Sequence, residues 1–242
     1  MRQGGSPALV ILDLDDTLIE TAPLYAAAAR RMRQIVEAQG IDADAYDKRR
    51  SAIDVALVRE MALSKEQFPE AAVRAYEELS RGRGVEPDPT VSAELRETGA
   101  NVFTTVAPNL PGVEAALREL HRRGIKLVVL TKGDEGVQAQ RIAQSGLRPY
   151  LSGVFVVPEK SETLFRAIAL WAGVAPEQTV AVGNSRPSDI DPAVRQGMSG
   201  VVVSAKDVWH YEDRDSSIPD TARARVRQVR SITGVPAAVL AL

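Results

Sequence analysis

Ala-Leu-Val-Ile-Leu-Asp-Leu-Asp-Asp-Thr, residues 8–17, is the stretch of the sequence that decides the fold. Its four consecutive apolar residues, 9–12, are typical of a strand that is buried on both faces of a parallel sheet. Three carboxylates follow at Asp13, Asp15 and Asp16. Because ligands bind at the carboxyl ends of parallel strands, we expect this strand to deliver carboxylates to a crevice. Adjacent carboxylates repel each other, so a hard divalent cation with oxygen ligands is their expected companion.

The composition narrows the class of protein. The 242 residues are 45% hydrophobic, enough for a sizeable core, and their formal net charge of −2 gives no positive field to attract nucleic acid. There is no cysteine, which excludes disulfides and thiolate metal sites and fits a reducing cytoplasm. No apolar stretch approaches the ~20 residues of a membrane helix, and residues 1–7 lack the apolar segment of a signal peptide. We therefore expect a cytoplasmic protein that binds neither membranes nor nucleic acid.

The middle of the chain differs from its two flanks. Residues 21–106 are rich in Ala, Arg, Glu and Leu and predict only helices, one of them capped by Asp88. From residue 107 onward strands and helices alternate, which predicts a parallel sheet with right-handed crossovers. We predict an α/β, Rossmann-like core, residues 1–20 and 107–242, with an all-helical domain, residues 21–106, inserted after the first strand. The strands predicted after the insertion are 126–131, 153–157, 179–183 and 200–203.

The C-terminal segment is less regular. Short apolar pieces at Val226, Val229 and Ile232 predict a helix or tail that packs on the core. The sequence assigns no role to residues 209–212, which include His210.

Polar residues follow four of the five predicted strands. Since the carboxyl ends of parallel strands share one edge of a sheet, the sequence predicts that two acids, a hydroxyl, an ammonium and a further acid meet in one crevice. In strand order these residues are Asp13 and Asp15, then Thr131, then Lys160, then Asn184 and Asp189.

In this order the motifs resemble those of the haloacid dehalogenase-like (HAD) hydrolases. The first motif of that family, four apolar residues followed by Asp-x-Asp-x-Thr, matches residues 9–17 position by position. Thr131, Lys160 and Asp189 fall where its second, third and fourth motifs are expected, so the resemblance covers the whole chain. A helical insert between the first and second motifs is similar to the cap of the C1-capped phosphatases.

The resemblance implies a set of catalytic roles. Asp13 is expected to be the nucleophile that forms an aspartyl-phosphate, and Asp15 the general acid and base. Lys160 is expected to balance the charge of Asp13 and of the phosphoryl oxygens. Thr131 and the backbone N–H of Lys132 are expected to bind those oxygens. Lys132 also competes with Lys160 for the lysine role, but the third motif of the family falls at Lys160.

The resemblance also implies Mg2+ as cofactor. The expected ligands are the acidic side chains of Asp13 and Asp189 and the backbone carbonyl of Asp15, with waters completing the coordination shell. Asn184 stands where many relatives have a carboxylate. Its amide oxygen can still bind the metal or a metal-bound water, but with one negative charge fewer, so weaker metal affinity is expected.

The predicted function is a Mg2+-dependent phosphatase that hydrolyses a small phosphorylated metabolite. Other activities of the family stay open: a phosphomutase, a phosphonatase or a dehalogenase, although Asp15 argues against the last. A relative without turnover that only binds a ligand also stays open because of Asn184. The sequence indicates neither the substrate nor the cap residues that select it, and it does not indicate the oligomeric state.

Overall fold

The computed structural model describes residues 6–61, 63–204, 218 and 220–242. Within them, one parallel sheet has six strands in the order β3-β2-β1-β4-β5-β6. Every pairing between neighbouring strands is parallel, which confirms the predicted α/β fold class. The strands are β1 (Leu9–Leu12), β2 (Lys126–Lys132), β3 (Gly153–Val157), β4 (Thr179–Gly183), β5 (Ser199–Val203) and β6 (Val226–Val229).

Strand β1 occupies a central position in the sheet. It pairs with β2 on one side and β4 on the other, with Ile11 opposite Val128 and Ala181. All four of its side chains are at most 2% exposed. The continuous apolar run follows from this position, because a central parallel strand is covered on both faces.

The sixth strand corrects the sequence-based prediction, which has five strands followed by a helix or tail. A helix does follow this strand, at Val235–Leu240. Val226–Val229 pairs with β5 at one edge of the sheet. Its two inner residues, Arg227 and Gln228, are exposed, so the segment lacks the apolar run that marks the buried strands. An edge strand has only one strand neighbour, and its polar residues can face water.

Two compact units divide the chain. One comprises Met1–Glu20, Pro108–Lys132 and Gln140–Leu242, and the other Thr21–Ala107 with Gly133–Ala139. The sequence does not mark Gly133–Ala139 as part of the second unit, because this stretch simply follows a core strand.

Among the described residues, the second unit contains four long helices and a core of its own. Its largest fully buried side chain is Tyr46, whose hydroxyl donates to the carbonyl of Ala72 at 3.2 Å. Burial raises the pKa of Tyr46 above its usual value. Asp88 caps the fourth helix as predicted, accepting a hydrogen bond from the Thr90 N–H at 2.8 Å. The helices are α1 (Ala22–Ala38), α2 (Ala43–Met61), α3 (Gln67–Gly82) and α4 (Pro89–Thr104).

Helices alternate with the strands after β1, as the sequence predicts. Ser161 caps helix α7 (Glu162–Ala172), and its hydroxyl accepts a hydrogen bond from the Leu164 N–H. None of the helices in the described ranges combines the length and the apolarity needed to cross a bilayer. The remaining helices are α5 (Val113–Arg122), α6 (Glu135–Ser145), α7 (Glu162–Ala172), α8 (Asp191–Arg195) and α9 (Val235–Leu240).

Candidate functional site

The backbone turns sharply directly after β1. The N–H of Asp13 donates to the carbonyl of Val182 in β4 at 2.9 Å, which fixes Asp13 at the strand end. Asp16 has a φ of 58°, in the left-handed region that aspartate tolerates better than most residues. Its N–H donates to the carbonyl of Ile19 at 2.7 Å and closes a short loop. The loop holds Asp15 beyond the strand while Asp13 stays at the sheet edge.

Lys160 connects two carboxylates at this edge. Its Nζ donates to Asp13 Oδ1 at 2.6 Å and to Asp189 Oδ1 at 2.7 Å, and all three side chains are at most 10% exposed. Burial by itself lowers the pKa of Lys160. The charges of Asp13 and Asp189 and their hydrogen bonds outweigh that effect and raise the pKa above its usual range. The lysine is therefore a permanent positive charge between two acids.

Thr17 contacts the opposite oxygen of Asp13. Its buried hydroxyl donates to Asp13 Oδ2 at 2.8 Å and lies 3.3 Å from Asn184 Oδ1. Since Lys160 bonds Oδ1 and Thr17 bonds Oδ2, the carboxylate of Asp13 is held at both oxygens. Asn184 is thereby placed beside the same group.

Asp189 lies in one wide helical turn, Arg186–Ile190, that precedes α8. Its Oδ2 accepts from the backbone N–H of Ser185 at 3.0 Å. A Cβ on Gly183 would lie 2.1 Å from that same oxygen, so only glycine leaves room for the carboxylate. The end of β4 and the turn after it therefore fix Asp189 through their backbone.

Asp15 is bound by an arginine from α6. Arg141 Nη1 lies 3.0 Å from Asp15 Oδ1, and the arginine side chain is 5% exposed whereas that of Asp15 is 30% exposed. Sequence reasoning did not single out Arg141. It lies four residues after the buried Val137 and next to the buried Ile142, so its place on the apolar stripe of α6 was a usable signal.

Thr131 and Lys132 are the last residues of β2, which pairs directly with β1. Thr131 is buried and Lys132 is half-buried. Because β1 and β2 are parallel, both residues lie at the same edge of the sheet as Asp13. Residues 209–212, with His210, lie outside the described residues.

The donors at this edge suit a hard cation. Side-chain oxygens come from Asp13, Asp189 and Asn184, and no sulfur or imidazole ligand accompanies them among the contacts described above. Within the described part of the chain, no group of three or more His, Cys, Asp or Glu side chains forms a ready metal cluster. Two carboxylates and one amide match Mg2+, which binds few protein carboxylates and keeps several waters.

Comparisons with known proteins identify the family of the chain. Residues 7–197 match the family model described as haloacid dehalogenase-like hydrolase. A glyceraldehyde 3-phosphate phosphatase of Methanopyrus kandleri is 27% identical over 231 residues, which cover 92% of this chain and 95% of that protein. A phosphoserine phosphatase of Thermus thermophilus is 28% identical over 249 residues, covering 91% and 97%.

A solved structure shares the fold. The haloacid dehalogenase-like family hydrolase from Xanthomonas campestris superposes with a TM-score of 0.82 at 24% identity, covering 100% of this chain and 94% of that one. Both curated relatives described above are phosphoric monoester hydrolases by name.

Proposed function

We propose that this chain, which belongs to the haloacid dehalogenase-like hydrolase family, is a Mg2+-dependent phosphatase of a small phosphorylated metabolite. The observation that carries the proposal is the buried contact of Lys160 with both Asp13 and Asp189. It orients one carboxylate beside a fixed positive charge at the end of β1, as a nucleophile for an anionic ester requires. The curated relatives support the reaction class, since they are named as phosphatases of glyceraldehyde 3-phosphate and phosphoserine.

Asp13 and Asp15 divide the chemistry in two steps. In the first, a carboxylate oxygen of Asp13 attacks phosphorus, the bond from phosphorus to the leaving oxygen breaks, and the proton carried by Asp15 passes to that oxygen. The products are an alcohol and an aspartyl-phosphate. In the second, water attacks phosphorus, its proton goes to Asp15, and the bond from phosphorus to Asp13 breaks. Inorganic phosphate leaves with both aspartates restored.

Other residues of the core bind the phosphoryl group. Lys160 offsets the charge that gathers on Asp13 and on the phosphoryl oxygens. The Thr131 hydroxyl and the backbone N–H of Lys132 donate hydrogen bonds to those oxygens. In phosphoryl transfer the protein contributes chiefly this positioning and charge stabilisation.

The proposed Mg2+ ligands are the carboxylates of Asp13 and Asp189 and the backbone carbonyl of Asp15. Asn184 is a further oxygen donor, directly or through water. When bound, the ion supplies positive charge that reduces the repulsion between the ester and Asp13. The all-oxygen donor set supports this assignment. We assign the helical unit as a cap of the C1 type.

Release of inorganic phosphate tests the proposal. The substrates are p-nitrophenyl phosphate and a panel of metabolite phosphates, each measured with Mg2+ and with EDTA. We expect turnover that requires Mg2+ and falls by about 1,000-fold or more in Asp13→Asn. The matched control is Asp88→Asn, since asparagine caps a helix as well as aspartate does.

The outcomes separate the proposal from its alternatives. Turnover that persists in EDTA or in Asp13→Asn contradicts it. Turnover of a 2-haloacid but of no phosphate ester indicates a dehalogenase. Mg2+-dependent binding of a phosphate analogue without turnover of any substrate indicates a binding protein.

A further inference from the structure

The loop that carries Asp15 is joined to α6 in two places. One is the ion pair of Asp15 with Arg141. The other runs through Ile19, whose backbone bridges to both Asp15 and Asn109. The side-chain Nδ2 of Asn109 in turn donates to the carbonyl of Ser145 at 2.8 Å. Ser145 is the last residue of α6. The backbone of the loop is thus held independently of the Arg141 side chain.

Burial of Arg141 needs a reason beyond stability. Removing a guanidinium from water is costly. A protein in which apolar residues of similar volume replace a buried ion pair is often as stable as the original. Arg141 lies beside the apolar Ile142 on its helix and still sends its charged end to a carboxylate. Its partner keeps 30% of its side chain exposed, so the arginine is the buried anchor and the aspartate the accessible group.

An anchored carboxylate delivers a proton from a defined place. The guanidinium is planar and rigid, and its N–H occupies Asp15 Oδ1 at 3.0 Å. Because the guanidinium contacts Oδ1, the geometry assigns exchange of a proton with the leaving oxygen to the other oxygen, Oδ2. General acid catalysis requires the proton within hydrogen-bond reach of the leaving oxygen, which a freely rotating carboxylate satisfies only part of the time.

From this geometry we infer that Arg141 is the positioning residue of Asp15, fixing its carboxylate for proton transfer to the leaving oxygen. The inference rests on the proposed phosphatase function. In this proposal Arg141 acts through Asp15, the carboxylate that it contacts at 3.0 Å. Its removal therefore affects proton delivery selectively.

Leaving-group dependence tests this role. A p-nitrophenolate leaves readily without a proton, whereas an aliphatic alcohol does not. We expect Arg141→Met to lower the rate constant of the first step, measured as release of the leaving group in a single turnover, by about 100-fold for an aliphatic phosphate monoester and by less than about fivefold for p-nitrophenyl phosphate. Hydrolysis of the aspartyl-phosphate is common to both esters and does not enter this comparison. The substrate concentration that gives half of the maximal single-turnover rate should stay within about threefold for both esters, because the phosphoryl contacts are retained. Arg141→Lys keeps the positive charge. On the aliphatic ester it should therefore react about tenfold faster than Arg141→Met.

A double-mutant comparison shows whether the effect passes through Asp15. In an Asp15→Asn background, Arg141→Met should lower the first-step rate constant for the aliphatic ester by less than about twofold, because no carboxyl proton remains to be positioned. Arg123→Met is the matched control. It removes an exposed arginine whose Nε bonds Glu119 at 2.7 Å, and it should leave both activities unchanged.

The failures are distinguishable. A wild-type protein that hydrolyses no ester overturns the phosphatase and this inference together. A wild-type phosphatase in which Arg141→Met lowers the first-step rate constant equally for both esters, or lowers it further in Asp15→Asn, overturns the inference alone. If Arg141→Met does not fold, Arg141→Lys decides, because a uniform loss on both esters in that variant contradicts a positioning role.

Discussion

The ammonium of Lys160 lies 2.6 Å from Asp13 Oδ1, although 147 residues separate the two in the sequence. Asp13 ends β1, and Lys160 follows β3, two strands away in the sheet. The same ammonium bonds Asp189 from the turn after β4. One buried cation therefore connects three segments of the core at one edge.

Replacement of Lys160 by Met should abolish turnover and weaken the fold. Two buried carboxylates then lose the charge between them, so we expect a loss of roughly 3 kcal/mol in the free energy of unfolding. We expect kcat to fall by about 1,000-fold or more, since the charge beside Asp13, the proposed nucleophile, is gone. Phosphate release and thermal unfolding, each with and without Mg2+, measure both effects.

Lys126→Met is the control for that variant. Lys126 is exposed at the start of β2, and its Nζ donates to the carbonyl of Ala172 at 2.6 Å, away from the site. Its activity should equal that of the wild type. A Lys160→Met enzyme within about tenfold of wild-type kcat would contradict the assigned role.

Thr17→Val should slow the chemistry with little change in fold. The substitution keeps the shape and removes the hydroxyl that holds Asp13 Oδ2 at 2.8 Å. We expect kcat to fall by about 10- to 100-fold and the free energy of unfolding to change by about 1–2 kcal/mol. Thr179→Val removes a comparable buried hydroxyl that bonds the Ala175 carbonyl, and it should affect stability alone. Equal kinetics in both variants would refute a role for Thr17 in orienting Asp13.

Asn184→Asp should tighten Mg2+ binding. A carboxylate in place of the amide adds a negative ligand beside Thr17 and Asp13, so the Mg2+ concentration for half-maximal activity should fall by about tenfold. A titration of activity against Mg2+ measures this, with the exposed Asn101→Asp as the control for the change of charge. An unchanged Mg2+ requirement would exclude Asn184 from the metal site.

The helical unit should lose stability in acid through Glu70. Hydrogen bonds from Arg74 at 2.8 Å and Arg96 at 2.9 Å lower the pKa of Glu70, the bond from Arg74 contributing most. Because the folded-state pKa lies below the unfolded one, this contribution is complete above the unfolded-state pKa of about 4.3 and disappears as pH falls through the folded-state value. Both ion pairs of Glu70 are partly exposed, so their contribution to the free energy of unfolding is below about 1 kcal/mol.

Glu70→Gln tests this dependence. It should lower Tm at pH 7 and leave Tm unchanged in strong acid, when both proteins carry a neutral side chain at this position. A Tm difference of the same size at both pH values would show that the ion pairs are not its cause.

The sequence predicts the sheet and most of its edge because the signals are local and the topology is regular. Four apolar residues identify β1, and parallel pairing alone brings Thr131 and Lys160 to the end where Asp13 lies. The contact of Lys160 with Asp189 could not be predicted. It depends on the wide helical turn at Arg186–Ile190 and on the space that Gly183 leaves.

Two other features escaped prediction for different reasons. An arginine in a polar helix normally extends into water, so Arg141 gave no sign of its pairing with Asp15 apart from its place on the apolar stripe. Strand β6 has one strand neighbour and two exposed polar residues, so its pattern is too weak to distinguish it from a tail.

Trapping of the phosphoenzyme tests the central claim most directly. Asp15→Asn lacks the proposed base for the second step but should still react with p-nitrophenyl phosphate, whose leaving group needs no proton. After acid quenching, intact mass and peptide mapping should show one phosphoryl group on Asp13. This group should form only with Mg2+, and it should be absent from the double variant that carries both Asp13→Asn and Asp15→Asn. Release of p-nitrophenol without any adduct, or with an adduct on another residue, would contradict nucleophilic catalysis by Asp13.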